Sequence, residues 1–160
     1  MITYILIATA ALAFALGATP VARQAARRFN VLDRPAARKI HTRPMPLLGG
    51  AAIYLAFVVA LILLGDRFYV NQVVGIFVGA TLVSLLGLWD DRLGLSPGVK
   101  LAGQLLAAGI LAMTDVRIGV LRIPFLNTLA TLFWLVGITN AINLLDNMDG
   151  LAGGVAAIAA

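Results

Sequence analysis

The chain has 160 residues, of which 61% are hydrophobic and only 12% charged, and its mean hydropathy is +0.99. A soluble domain is typically about half apolar and a quarter charged, so these few charges could not cover a water-facing surface. The absence of cysteine excludes disulfides, zinc–thiolate sites and cysteine nucleophiles. The net charge of +5 comes mainly from one basic loop, so it indicates membrane topology rather than nucleic-acid binding.

Five long apolar runs follow one another, at residues 2–21, 47–64, 70–89, 99–114 and 125–145. A transmembrane helix needs about 20 apolar residues, so each run predicts one membrane span. A sixth run, 151–160, is too short to span. The first run lacks a basic start and is followed by arginines, the reverse of a secretory signal peptide. The predicted fold class is all-α, a polytopic integral membrane protein whose residues 1–160 form a single transmembrane domain of five helices plus an incomplete sixth.

Basic residues are distributed unevenly between the two sides of these predicted helices. Seven of the twelve lie between the first and second runs, and Arg92 and Lys100 flank the third connection on the same side. The other side has only Arg67, Arg117 and Arg122. Because lysine and arginine favour the cytoplasmic side, this distribution predicts an N-terminus outside the cell and a basic face in the cytoplasm.

Two adjacent carboxylates, Asp90 and Asp91, follow the third run and therefore emerge at the predicted cytoplasmic face. They lie at a helix C-terminus, where the helix dipole disfavours anions, and they repel one another. A divalent cation, a basic partner or retained protons would relieve this conflict. Mg²⁺ fits well because it prefers carboxylate oxygens together with substrate phosphates. The alternative is a hydrated loop in which Asp91 pairs with Arg92.

A second polar cluster closes the fifth run and continues beyond it, at Asn140, Asn143, Asp146, Asn147 and Asp149. The asparagines share one helix face through spacings of three and four. The two acids converge with them only if the helix ends near Leu145, where Gly150 would help to end it. Polar residues in a membrane segment are costly and indicate a site or a polar cavity. Hydrogen bonding between helices is the structural alternative for the asparagines.

The loop between the first two runs contains Arg38, Lys39 and His41 among several prolines and glycines. Prolines stiffen the loop, and cations held in a stiff loop suit phosphate binding. The alternative is an anchor for anionic lipid headgroups, which suits the three arginines nearer the first run. Counting Asp33, five of the seven aspartates share the face of this loop.

Clustered aspartates, amides and a basic loop on one face suit metal-assisted chemistry on phosphates, with one substrate dissolved and the other in the lipid. Two other classes stay open. A small cation or proton transporter would carry its acids in mid-helix. A non-catalytic structural membrane subunit would bind partners through its small residues and leave the aspartates unexplained.

Three segments of this face, residues 33–50, 89–104 and 140–154, resemble the MraY/WecA family of polyprenyl-phosphate N-acetylhexosamine-1-phosphate transferases. The second carries the Asp-Asp pair, and the third reads Asn-x-x-Asn-Leu-x-Asp-x-x-Asp-Gly-Leu, which is a specific pattern. Their order and spacing agree with the family over nearly the whole chain. The family has about twice as many helices, so we expect an N-terminal fragment of a larger enzyme, without transferase activity by itself.

The resemblance implies a reaction in the cell membrane that uses undecaprenyl phosphate and a UDP-sugar, first of all UDP-N-acetylglucosamine. The products would be undecaprenyl-diphospho-sugar and UMP. The cofactor would be Mg²⁺ or Mn²⁺, and the protein would form a homodimer. The implied metal ligands are Asp90, Asp91 and Asn143. The implied catalytic residues are Asp90, Asp91, Asp146 and Asp149. The implied substrate-binding residues are Arg38, Lys39, His41, Asn140 and Asn143.

Overall fold

The computed structural model describes residues 2–33, 44–64, 69–146 and 150–159. This part of the chain contains six helices and two short strands, α1 (Ile2–Arg28), β1 (Leu32–Asp33), β2 (Met45–Pro46), α2 (Gly49–Leu64), α3 (Val70–Leu93), α4 (Pro97–Met113), α5 (Pro124–Leu145) and α6 (Leu151–Ala159). The first five helices coincide with the five apolar runs, and α6 with the short sixth run. The predicted all-α polytopic fold is therefore confirmed.

The helices differ in how well they match a membrane. Helices α1, α3 and α5 are long and apolar enough to cross it, whereas α2 and α4 are shorter apolar helices. Helix α1 continues to Arg28, beyond the predicted end at residue 21. The apolar run stops there, but the following alanines, glutamine and arginines are good helix formers, so the helix extends past the span.

Consecutive helices pack side by side, α1 with α2, α2 with α3, α3 with α4 and α4 with α5. Helices α3 and α4 approach closely because Gly75 and Gly79 are buried against the side chains of Thr114 and Leu111. Small residues at such crossings let two helix backbones come together in a membrane. Successive helices run in opposite directions, so the C-terminal ends of α1, α3 and α5 lie on the same side as the N-terminal ends of α2 and α4.

The two-residue strands were not predicted from the sequence. They pair antiparallel, with Leu32 opposite Pro46 and Asp33 opposite Met45. The backbone N–H of Leu47 also donates to the carbonyl of Val31 at 3.2 Å. This ladder joins the end of α1 to the start of α2 and holds Asp33 on the side where α3 and α5 end.

Candidate active site

An ion pair joins the end of α3 to the start of α4. The Lys100 Nζ atom lies 2.7 Å from Asp90 Oδ2, and the two side chains are 27% and 24% exposed. The other carboxylate oxygen, Oδ1, accepts a hydrogen bond from the backbone N–H of Leu95 at 3.1 Å. A cation, a basic partner or retained protons could relieve the repulsion between Asp90 and Asp91, and the structure contains a basic partner. That partner of Asp90 is Lys100, ten residues later in the chain.

The turn between α3 and α4 makes this ion pair possible. Gly94 ends α3 with a left-handed φ of 64°, and its N–H donates to the carbonyl of Asp90 at 2.8 Å. Such a cap favours glycine because a Cβ atom is disfavoured at this φ. Ser96 is extended and Pro97 starts α4, where proline suits the first helical turn. The short turn therefore brings Lys100 back beside the last turn of α3.

Three other carboxylates lie near enough to act on Asp91, which is itself exposed. Its carboxylate interacts electrostatically with Asp90, Asp33 and Asp146, and with the ammonium group of Lys100. These residues come from β1, from the end of α3 and from the end of α5. The structure thus brings together four of the five aspartates predicted to share a face. The fifth, Asp149, lies outside the described residues, as do Arg38, Lys39 and His41.

Helix α5 ends at the position that the sequence predicted from its polar residues. Leu145 is its last residue, and the N–H of Asp146 donates to the carbonyl of Ile142 at 3.1 Å. The cap of α5 is Asp146, and Gly150, with a φ of 77°, stands directly before α6. Asn143 lies exposed in the last turn of α5. Asn147 lies outside the described residues.

A reciprocal pair of amides connects α4 to α5 beneath this face. Asn140 Nδ2 donates to Gln104 Oε1 at 2.7 Å, and Gln104 Nε2 donates to Asn140 Oδ1 at 3.4 Å. Asn140 Nδ2 also donates to the carbonyl of Val136 at 2.8 Å. Gln104 is only 8% exposed. Hydrogen bonding between helices, the structural alternative considered for the asparagines, therefore applies to Asn140.

Two adjoining cavities lie between α4 and α5. The first, called here the polar cavity, has a volume of about 260 Å³ and is lined by Leu95, Pro97, Lys100, Leu101, Gln104 and Asn140. The second, called here the α4–α5 groove, has about 270 Å³ and is lined mainly by leucine, valine and phenylalanine side chains. Both share Leu101 and Asn140. The polar cavity is lined by Lys100, the partner of Asp90, and it adjoins the apolar groove at Leu101 and Asn140.

Two site residues were missed by sequence reasoning. Lys100 was counted only as a topology signal, and Gln104 was given no role. Their spacing of four places both on one side of α4, and polar residues in an apolar run indicate a functional cavity. That signal could have found them. Among the residues that the structure describes, no three histidine, cysteine, aspartate or glutamate side chains are grouped to hold a metal ion.

Comparison with known proteins identifies the family. Residues 73–160, more than half of the chain, match the sequence profile of glycosyl transferase family 4. The chain belongs to glycosyl transferase family 4. The resemblance drawn from the three sequence segments is thereby confirmed. No solved structure matches this family 4 chain with statistical significance.

Several curated relatives of this family 4 chain are similar over most of its length. A Bacillus subtilis protein named probable undecaprenyl-phosphate N-acetylglucosaminyl 1-phosphate transferase is 37% identical over 149 residues, covering 88% of the chain and 41% of the relative. A decaprenyl-phosphate N-acetylglucosaminephosphotransferase of Mycolicibacterium smegmatis is 34% identical, covering 89% and 40%. A phospho-N-acetylmuramoyl-pentapeptide-transferase of Lactobacillus gasseri is 36% identical, covering 71% and 42%. The chain therefore spans about two fifths of the length of these relatives.

Proposed function

We propose that the protein containing this chain transfers N-acetylglucosamine 1-phosphate from its UDP-sugar to undecaprenyl phosphate. A phosphate oxygen of the lipid would attack the β-phosphorus of the UDP-sugar, and UMP would leave with the electrons of the broken P–O bond. The observation that carries the proposal is the grouping of four aspartates near Lys100, which lines the polar cavity next to the apolar α4–α5 groove. The names of the Bacillus and Mycolicibacterium relatives support this sugar.

The two cavities suit the two ends of the lipid acceptor. The α4–α5 groove is lined by aliphatic and aromatic side chains, so an isoprenoid chain would bury apolar surface there. Lys100 lines the polar cavity and supplies a compact positive charge for a phosphate. The soluble donor would approach from the face where the aspartates converge. We propose that this face is cytoplasmic and that the N-terminus lies outside, following the distribution of basic residues.

The aspartates also suit Mg²⁺, which takes one or two carboxylates together with substrate phosphates. Asp91 is the best-suited carboxylate, because it is exposed and surrounded by three other acids that favour a nearby cation. Both oxygens of Asp90 already have partners, in Lys100 and in the N–H of Leu95. Asn143 could add an amide oxygen from the last turn of α5. When bound, the ion would neutralise phosphate oxygens and orient the two reactants.

The rival functions have less support. A cation or proton transporter is expected to carry acids within its spans, whereas Asp90, Asp91 and Asp146 lie at helix ends. A purely structural subunit would leave the gathered carboxylates without a role. The homodimer stays a prediction, and so does the inactivity of the isolated chain.

The test uses the complete protein encoded by the reading frame that contains this chain, purified in detergent. It is supplied with radiolabelled UDP-N-acetylglucosamine, undecaprenyl phosphate and Mg²⁺, and labelled lipid is extracted and counted. We expect the Asp91→Asn and Asp146→Asn variants to insert normally but to lose about 100-fold or more in rate, as for other single electrostatic groups in active sites.

Asp115 provides a matched control on the opposite side of the helices. It is 68% exposed and pairs with Arg117 at 2.9 Å, far from the converging aspartates in the topology. The Asp115→Asn variant should keep the rate of the unchanged protein. Absence of any labelled lipid with the unchanged protein would refute the proposal. Full activity of both site variants would also refute it.

A further inference from the structure

The amide pair between α4 and α5 leaves Asn140 with no amide hydrogen for a substrate. One hydrogen on Nδ2 goes to Gln104 and the other to the carbonyl of Val136. Gln104 is buried, and its amide is directed at Asn140. Asn140 is therefore engaged within the protein, in contrast to the exposed Asn143 three residues later.

The pair lies one helical turn beneath the charged groups of the site. Gln104 follows Lys100 by four residues on the same side of α4, and Asn140 precedes Asn143 by three on α5. Both amides line the polar cavity together with Lys100. Lys100 in turn binds Asp90 of α3. Through α4, these two contacts join α3, whose end carries Asp90 and Asp91, to α5, whose end carries Asp146.

Apolar contacts alone do not specify how two such helices are aligned. Lipid tails are as apolar as leucine, so a sliding movement between membrane helices meets little hydrophobic resistance. A slip by one residue moves a helix by about 1.5 Å and turns it by about 100°. Such a slip would separate the two amides and leave buried polar atoms without partners, which is unfavourable in an apolar environment.

We propose that Gln104 and Asn140 are positioning residues. Their amide pair fixes the register of α4 against α5, and it thereby holds Lys100 and Asp91 at the correct distance from Asp146. The inference rests on the proposed transferase function for its kinetic consequence. Its structural consequence, the alignment of α4 and α5, does not depend on that function.

The test compares three variants of the complete protein. Gln104→Leu with Asn140→Leu replaces both amides by apolar groups of similar shape, which can be nearly neutral for stability. Gln104→Asn with Asn140→Gln exchanges the amides and keeps both the hydrogen-bonding groups and their combined length. Tyr54→Phe is the control, because it removes another hydrogen bond between helices, the 2.6 Å contact of Tyr54 with Thr81.

The kinetic readout separates kcat from KM. We expect the leucine pair to lose about 100-fold in kcat, since a displacement of about 1 Å at a reacting centre has effects of this size. The KM for the UDP-sugar should change less. The exchanged pair should recover most of the lost kcat, and the Tyr54→Phe variant should match the unchanged protein. The proposal is overturned if the leucine pair (Gln104→Leu with Asn140→Leu) keeps the kcat of the unchanged protein. It is also overturned if the exchanged pair (Gln104→Asn with Asn140→Gln) has a kcat as low as that of the leucine pair.

The spectroscopic readout measures the alignment itself. The 160 residues contain no cysteine, so spin labels are introduced at Val99→Cys and Ile138→Cys, which are 51% and 43% exposed. Any cysteine elsewhere in the complete protein is replaced. We expect one narrow distance distribution in the unchanged protein, the exchanged pair and the control, and a shifted or broadened one in the leucine pair. If the leucine pair does not fold, Gln104→Met takes its place.

The two readouts distinguish the possible failures. An inactive unchanged protein refutes the transferase proposal, and the distance distributions then decide the positioning role. An unchanged distance distribution in the leucine pair overturns that role whatever the activity.

Discussion

Replacement of Lys100 by methionine tests how the site holds its charges together. Methionine retains an unbranched, flexible side chain, but it lacks the ammonium group that lies 2.7 Å from Asp90 Oδ2. At an effective dielectric constant of about 20, two unit charges at this distance attract by about 6 kcal/mol before any cost is subtracted. Desolvation of both groups and the ordering of the lysine side chain offset most of this attraction.

The net effect follows from the exposure of the pair. Exposed ion pairs contribute at most about 1 kcal/mol, whereas removal of one partner from a buried pair costs about 3–5 kcal/mol. The side chains of Lys100 and Asp90 are 27% and 24% exposed, which lies between these cases. The N–H of Leu95 would remain as a partner for the carboxylate. We therefore expect Lys100→Met to lower the free energy of unfolding by about 2 kcal/mol.

Unfolding of the protein in detergent micelles, followed by circular dichroism, measures this change. Lys100→Arg retains a cation and should lose less than Lys100→Met. The double variant Asp90→Asn with Lys100→Met should be more stable than the sum of the single changes implies, because the two sites interact directly. If Lys100→Met lowers the free energy of unfolding by less than about 0.5 kcal/mol, the change is no larger than that of an ordinary surface substitution. That result would refute a stabilising role for the ion pair.

Two further predictions concern the packing at the ends of the helices opposite the site. Gly75→Ala should destabilise the protein by about 1–3 kcal/mol, because the added Cβ would collide with the side chain of Thr114. Gly87→Ala on the same helix should have no such effect, because nothing lies within 4 Å of its added Cβ. The hydroxyl hydrogen of Thr114, which faces Gly75, is shared between the carbonyl oxygens of Ile110 and Leu111 at 3.1 and 3.0 Å, so this side chain does not rotate away freely. Thermal unfolding measures the difference. Asn127→Ala should speed hydrogen exchange at the amide of Leu121, because it removes two 2.9 Å hydrogen bonds to the backbone there, and an unchanged exchange rate would contradict this.

Much of the candidate site could be inferred from the sequence because its acidic residues follow apolar runs. Once the runs predicted alternating helices, Asp90, Asp91 and Asp146 had to lie on one side, and the structure brings them together. The end of α5 near Leu145 was also predictable, because the polar pattern required it. The choice of Lys100 as partner of Asp90 was not predictable, because Arg92 is nearer in sequence.

The sequence by itself determined the class of the protein, the number and approximate positions of its main apolar helices, and the family to which it belongs. These follow from hydropathy and short motifs, which are local properties of the chain. Only the tertiary structure decided which side chains meet, such as Gln104 with Asn140, which are 36 residues apart. Such contacts depend on the rotation and offset of one helix against another. Apolar runs leave both undetermined, since lipid-facing and helix-facing surfaces are alike in composition.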